Sequence, residues 1–165
     1  LAAQGLRTVL NLRGATSIGA YALERETCAE EGLRLIDFKM TSRALPTVEQ
    51  IHGLRRIFET AERPLLMHCK SGADRAGIAS ALFLLFNGAS AEDAARQLSL
   101  RYLHLDHSKT GILDHFVECY RQFDARTPTP FMDWVDNHYD PDALNATFKP
   151  SGPAEFLNST ILRRE

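Results

Sequence analysis

The chain has three cysteines, Cys28, Cys69 and Cys119, an odd number at irregular spacing, which excludes a disulfide framework and any paired Cys/His zinc pattern. Net charge is nearly absent: 19 Lys and Arg against 21 Asp and Glu leave a formal −2 and an isoelectric point near 6.3. A general nucleic-acid binder needs a basic face to release counterions, so nucleic acid is not expected as a partner, and a charged ligand must be held by a local site. No apolar run has membrane-spanning length, and no signal peptide or lipidation motif is visible. The opening residues Leu1 to Gly5 read like the end of a helix leading into a strand. The expectation is that an N-terminal piece, with any targeting segment, has been removed, which leaves the compartment open between cytoplasm and periplasm and membrane association undecided. No internal repeat is present. What remains, 165 residues with 44% hydrophobic content, is enough to bury a core without disulfides or metals.

The most informative stretch runs His68, Cys69, Lys70, Ser71, Gly72, Ala73, Asp74, Arg75, Ala76, Gly77. An apolar strand precedes it at residues 64–67, and an apolar helix follows at 78–86. A loop that closes from a buried strand onto a helix N-terminus aims several backbone N–H groups at one point, and the helix dipole adds positive potential there. A cysteine at that point is favoured as thiolate. Arg75, six positions after Cys69, can grip phosphoryl oxygens with two parallel N–H donors.

On these residues the chain resembles the cysteine-dependent protein tyrosine phosphatase superfamily, whose signature is His-Cys, five residues, then Arg. The segment Thr8, Val9, Leu10, Asn11, Leu12, Arg13, Gly14 resembles the early strand of compact bacterial dual-specificity-like members, so the likeness spans about residues 5–123. It implies an α/β fold with a small central, mostly parallel sheet flanked by helices. The implied activity is metal-independent hydrolysis of phosphate monoesters through a phosphocysteine, with no cofactor and no metal site. Substrates would be a phosphotyrosine or dual-specificity protein target, or a lipid or sugar phosphate. Cys69 is the expected nucleophile and Arg75 the phosphate clamp; Lys70, Ser71, Gly72 and Ala73 complete the cradle, and Arg43 adds positive charge at its rim. His68 is expected to order the loop from behind.

Two departures from the family pattern stand out. The loop at 40–46 that usually carries the proton-donating aspartate has no carboxylate. Asp74, beside Arg75, is the preferred substitute. Asp37, thirty-two residues before Cys69, is the alternative, although it reads as part of a strand. Ala76 replaces the Ser or Thr that normally hydrogen-bonds the departing cysteine sulfur, a loss of about 1–3 kcal/mol in that step, so turnover should be slow. The same departures support a second reading, a phosphate-binding pseudophosphatase with little turnover. His104 and His107, on either side of Asp106, do not match a metal motif and read as loop residues. Cys28 and Cys119 read as packing residues.

Strands are expected at 7–12, 33–40 and 64–67, and helices at 21–31, 47–61, 78–86, 90–98 and 111–123. The second helix opens on the capping-box pattern Thr47 to Gln50. Alternating strand and helix argues for a parallel sheet. The catalytic domain is expected over 1–125. Residues 126–165, rich in proline and aromatics, read as an extension packing on the domain or a partner, with a helix at 131–138.

Overall fold

A computed structural model of the protein describes residues 2–104 and 109–148. Three short strands, β1 (Thr8–Asn11), β2 (Arg34–Asp37) and β3 (Leu65–His68), form an all-parallel sheet in the order β2-β1-β3. Among the described residues seven α-helices accompany them: α1 (Gly19–Glu30), α2 (Val48–Thr60), α3 (Asp74–Phe86), α4 (Ala91–Ala95), α5 (Ile112–Arg126), α6 (Phe131–Asn137) and α7 (Pro141–Thr147). The α/β architecture with a small parallel sheet is the one expected.

Register sets the geometry that matters for function. Thr8 pairs with Arg34 on one side and Leu65 on the other, and Asn11 pairs with both Asp37 and His68. The strand ends are therefore level, and all three carboxyl ends open on one edge. In open α/β sheets that edge is where ligands bind. The regular part of β2 covers four of the eight expected residues, and beyond it Phe38 N and Met40 N still donate to the Asn11 and Leu12 carbonyls at 3.0 and 3.1 Å, so less regular pairing continues to Met40.

β1 is buried along its whole length, as a central strand covered on both faces must be. Successive side chains alternate between the faces. Leu10 and Leu12 join a large cluster with Ile51, Leu54 and Phe58 of α2 and with Ile78 and Leu82 of α3, whereas Val9 and Cys28 are buried outside that cluster. Right-handed crossovers, the rule for parallel strands, send α1 and α2 to opposite faces in this strand order. The main core lies on the α2 side.

The capping box at the head of α2 forms as expected: Thr47 Oγ1 accepts from Gln50 N at 3.2 Å, and Gln50 Oε1 accepts from Thr47 N at 3.0 Å. α3 is apolar nearly all round because it is enclosed by other helices. Gly77 permits that enclosure, since a Cβ there would stand 2.9 Å from the Gln97 carbonyl oxygen.

Beyond residue 126 the chain does not leave the core. Phe131, Trp134, Val135 and Tyr139 are buried with Phe116 and Tyr120 of α5, and the rings of Phe116 and Tyr139 meet edge to face at 5.1 Å. The buried Tyr139 hydroxyl donates to the Pro46 carbonyl at 2.7 Å, tying this part of the chain to the loop that follows β2. The remainder of the expected extension, from 149 onward, lies outside the described residues, as do Asp106 and His107.

Candidate active site

β3 ends at His68, and five residues carry the chain from the open edge of the sheet into α3. Gly72 turns this loop at φ +76°, a left-handed conformation that costs glycine little and other residues more. The turn brings its N–H to 3.3 Å from Cys69 Sγ. Cys69 is partly buried against the core, Lys70, Ser71 and Gly72 are exposed, and Ala73 and Asp74 are buried. Arg75 follows in the first turn of α3. The nucleophile and cradle residues expected from sequence thus occupy one strand-to-helix junction, at the positive end of a 13-residue helix. Arg43 is exposed on the loop after β2, where its N–H donates to Thr41 Oγ1 at 3.3 Å. Ala76 is partly buried and packs against the core.

Asn11 organises the middle of the open edge. Its side-chain amide donates to the Gly14 carbonyl at 3.1 Å and to Asp37 Oδ1 at 2.8 Å, while its Oδ1 accepts from Arg13 N at 3.0 Å. A buried amide at the end of a central strand must satisfy all its groups, and this one does so by fixing the turn after β1 and the carboxylate of β2 together. Asp37 also accepts a short hydrogen bond from the Tyr21 hydroxyl. That bond, followed by burial, raises the tyrosine pKa above its usual value. Asp37 is the last residue of β2 and is exposed, so it belongs to the edge rather than the interior of the sheet.

One turn further along α1, Glu24 brings Oε1 to 2.5 Å from Nε2 of His68, off the line of a ring N–H, so that nitrogen has no aligned hydrogen-bond partner among the described residues. The other ring nitrogen lies 3.3 Å from the Cys69 carbonyl oxygen. α1 therefore delivers Tyr21 and Glu24 to the two outer strands of the edge, a pairing at helical spacing that only the fold reveals.

Asp74 is placed differently. It is 8% exposed, and its Oδ1 lies 2.8 Å from Nδ1 of His104, whose Nε2 lies 2.6 Å from Asp114 Oδ2. His104 is itself 2% exposed. Burial opposes its charged form, but the hydrogen bonds to Asp114 and Asp74 outweigh that penalty and push its pKa up to about 9. Sequence reasoning missed this role. Asp74 and Asp114 stand 30 and 10 residues from His104, and no local spacing connects them.

Among the described residues, no group of three or more His, Cys, Asp or Glu side chains is arranged to hold a metal. No helix among them is long and apolar enough to cross a membrane. A cleft of about 210 Å³ lined by Arg55, Phe58, Arg63, Phe83 and Asn87 lies at the far end of α3, helical turns away from Cys69.

A known structure shares this architecture. TpbA from P. aeruginosa is similar over 73% of this chain and 74% of its own, with a TM-score of 0.54 and 19% identity. A protein from Neisseria meningitidis Z2491, described as a candidate phosphatase, covers 58% of this chain and 69% of its own, with 18% identity and a TM-score of 0.47. No curated protein sequence matches the chain. A family model described as "DSP-PTPase phosphatase fused to NAD+ Kinase" matches residues 1–118. That match covers most of the chain and includes the whole strand, loop and helix around Cys69, so the protein belongs to this family of DSP-type phosphatases.

Proposed function

We propose that the protein hydrolyses phosphate monoesters through a covalent phosphocysteine on Cys69, without a metal. The observation that carries this reading is the junction itself: a partly exposed cysteine at the open edge, a backbone N–H directed at its sulfur, and an arginine in the first turn of the following helix. Cys69 Sγ attacks phosphorus, the bond to the leaving oxygen breaks, and that oxygen takes a proton from a carboxylic acid. Arg75 and the loop N–H groups, with Lys70, Ser71, Gly72 and Ala73 forming the rim, stabilise charge on the equatorial oxygens. Water then attacks phosphorus, the P–S bond breaks, and phosphate leaves.

Asp37 and Asp74 compete for the role of proton donor. Asp37 is better supported, being exposed at the end of β2 and two strand spacings from His68, about 10 Å between backbones. Asp74 is buried against a histidine.

The substrate class is a phosphotyrosine or dual-specificity protein target, or a lipid or sugar phosphate. The family's pairing with an NAD+ kinase makes a phosphorylated nicotinamide dinucleotide one sugar phosphate to test within that class. The test is hydrolysis of a small aryl phosphate, with that dinucleotide, a phosphotyrosine peptide and a phosphoinositide assayed in parallel. Activity should withstand chelator, be blocked by vanadate and vanish in Cys69→Ser. Undiminished activity in that variant overturns the mechanism. Ala76 and the loop at 41–46, which has no carboxylate, favour a second reading as a phosphate-binding pseudophosphatase. A phosphoenzyme that forms in a single turnover and never decays would select it.

A further inference from the structure

We infer that His104, backed by Asp114, is a positioning residue for the phosphate loop, acting through Asp74; the inference rests on the reading of that loop as a phosphate site. An acidic residue sits immediately before the phosphate-binding arginine, in the first turn of the helix whose positive end faces the ligand. Left bare, its carboxylate would compete with phosphate for Arg75 and for the loop N–H groups, and would repel a dianion. His104 removes that conflict.

The geometry favours a charged ring. Both imidazole nitrogens lie within hydrogen-bond distance of a carboxylate oxygen, 2.8 Å to Asp74 and 2.6 Å to Asp114. A neutral ring would leave one lone pair facing one carboxylate, so both nitrogens carry hydrogen and both donate. Three elements meet here: the first turn of α3 supplies Asp74, the first turn of α5 supplies Asp114, and the segment after the 3₁₀ turn Leu100–Tyr102 supplies His104. Leu103 bends that segment at φ +61°, a left-handed conformation unusual for leucine, and the His104 N–H is anchored on the Ser99 carbonyl at 3.2 Å. The backbone thus accepts strain where it turns the imidazole inward.

Stability does not explain the arrangement well. Buried ionic triads can often be replaced by apolar groups with no loss of stability. What this triad does is orient: with one oxygen committed to His104, the Asp74 carboxylate is held in place and its charge is matched by the ring. The two carboxylates are the ionisable groups in hydrogen-bond contact with the ring among the described residues, one from each helix packed against it.

The test reads phosphate binding directly, in a Cys69→Ser background, so that it does not depend on turnover. Inorganic phosphate is titrated by calorimetry, and the ring ¹⁵N shifts of His104 are followed with pH. The expected results are two protonated ring nitrogens at pH 7 and a phosphate affinity that falls as pH rises through the same midpoint as the ring. His104→Gln should weaken phosphate about tenfold, and adding Asp74→Asn should restore most of the loss, because a neutral amide no longer repels the anion. A purely structural histidine would lower thermal stability without that rescue. A neutral ring at pH 7, or a folded His104→Gln with unchanged phosphate affinity, overturns the inference. If His104→Gln does not fold, the pH dependence alone decides, and a flat affinity across the ring's titration overturns it. Absence of phosphate binding in the parent at every pH would refute the phosphate-site reading itself, an outcome distinct from failure of the His104 role.

Discussion

Tyr21 on α1 donates its hydroxyl hydrogen to Asp37 Oδ2, while Asn11 donates to the other carboxylate oxygen at 2.8 Å, so the acid at the end of β2 is held from both sides. On the proposed mechanism this fixed carboxyl at the open edge is the proton donor to the leaving group. Asp37→Asn should therefore slow substrates with poor leaving groups by about 10²–10⁴-fold while sparing activated aryl phosphates, which depart without a proton. Asp74→Asn should show no such dependence on the leaving group. A plot of log kcat against leaving-group pKa for both variants checks the assignment, and the reverse pattern would give the role to Asp74.

On the proposed mechanism Ala76 offers no hydroxyl to the sulfur when phosphocysteine breaks down. Ala76→Thr should speed decay of the phosphoenzyme by about one to two decades, the equivalent of one hydrogen bond in that step. Formation of the phosphoenzyme should change little. Rapid-quench measurement of the burst and of the following steady state separates the two rates.

The raised pKa of His104, about 9 against an ordinary 6.5, makes stability depend on pH. Because the folded value lies above the unfolded one, the stabilisation from the protonated ring is complete below about pH 6.5 and is lost as pH climbs through about 9. Urea midpoints should fall across that window, and the slope attributable to this residue should disappear in His104→Gln. An unchanged slope in that variant would remove His104 as its source.

Gly77 faces the Gln97 carbonyl oxygen so closely that an added Cβ would stand 2.9 Å away. Gly77→Ala should cost about 1–3 kcal/mol, because a backbone oxygen cannot swing aside as a side chain can and α3 would have to move away from α4. Denaturant unfolding measures the loss. The same displacement would tilt the helix that carries Arg75, so KM for an aryl phosphate should rise in parallel.

The strand-to-helix junction around Cys69 was legible because its signals are local. Cys69, Gly72 and Arg75 lie within one turn and the start of one helix, and the strand before and helix after announce themselves by short apolar runs. The capping box of α2 was legible for the same reason, since Thr47 and Gln50 satisfy each other across three residues. The extent of β2 was legible only in part: its regular ladder ends at Asp37, while Phe38 and Met40 go on pairing less regularly with Asn11 and Leu12, a change of geometry that the apolar pattern does not record.

Sequence by itself determined the junction and the family: a cysteine, a glycine turn and an arginine between an apolar strand and an apolar helix. The different surroundings of the two carboxylates were decided by tertiary structure. Asp37 became an edge residue because parallel pairing levelled the ends of β1, β2 and β3, and Asp74 gained His104 because α5 and the turn after residue 102 folded back onto α3. Spacing along the chain carries no record of such contacts. A buried imidazole between two carboxylates arises only when elements tens of residues apart close around it, and the cost of burying those charges is met only once all three are together.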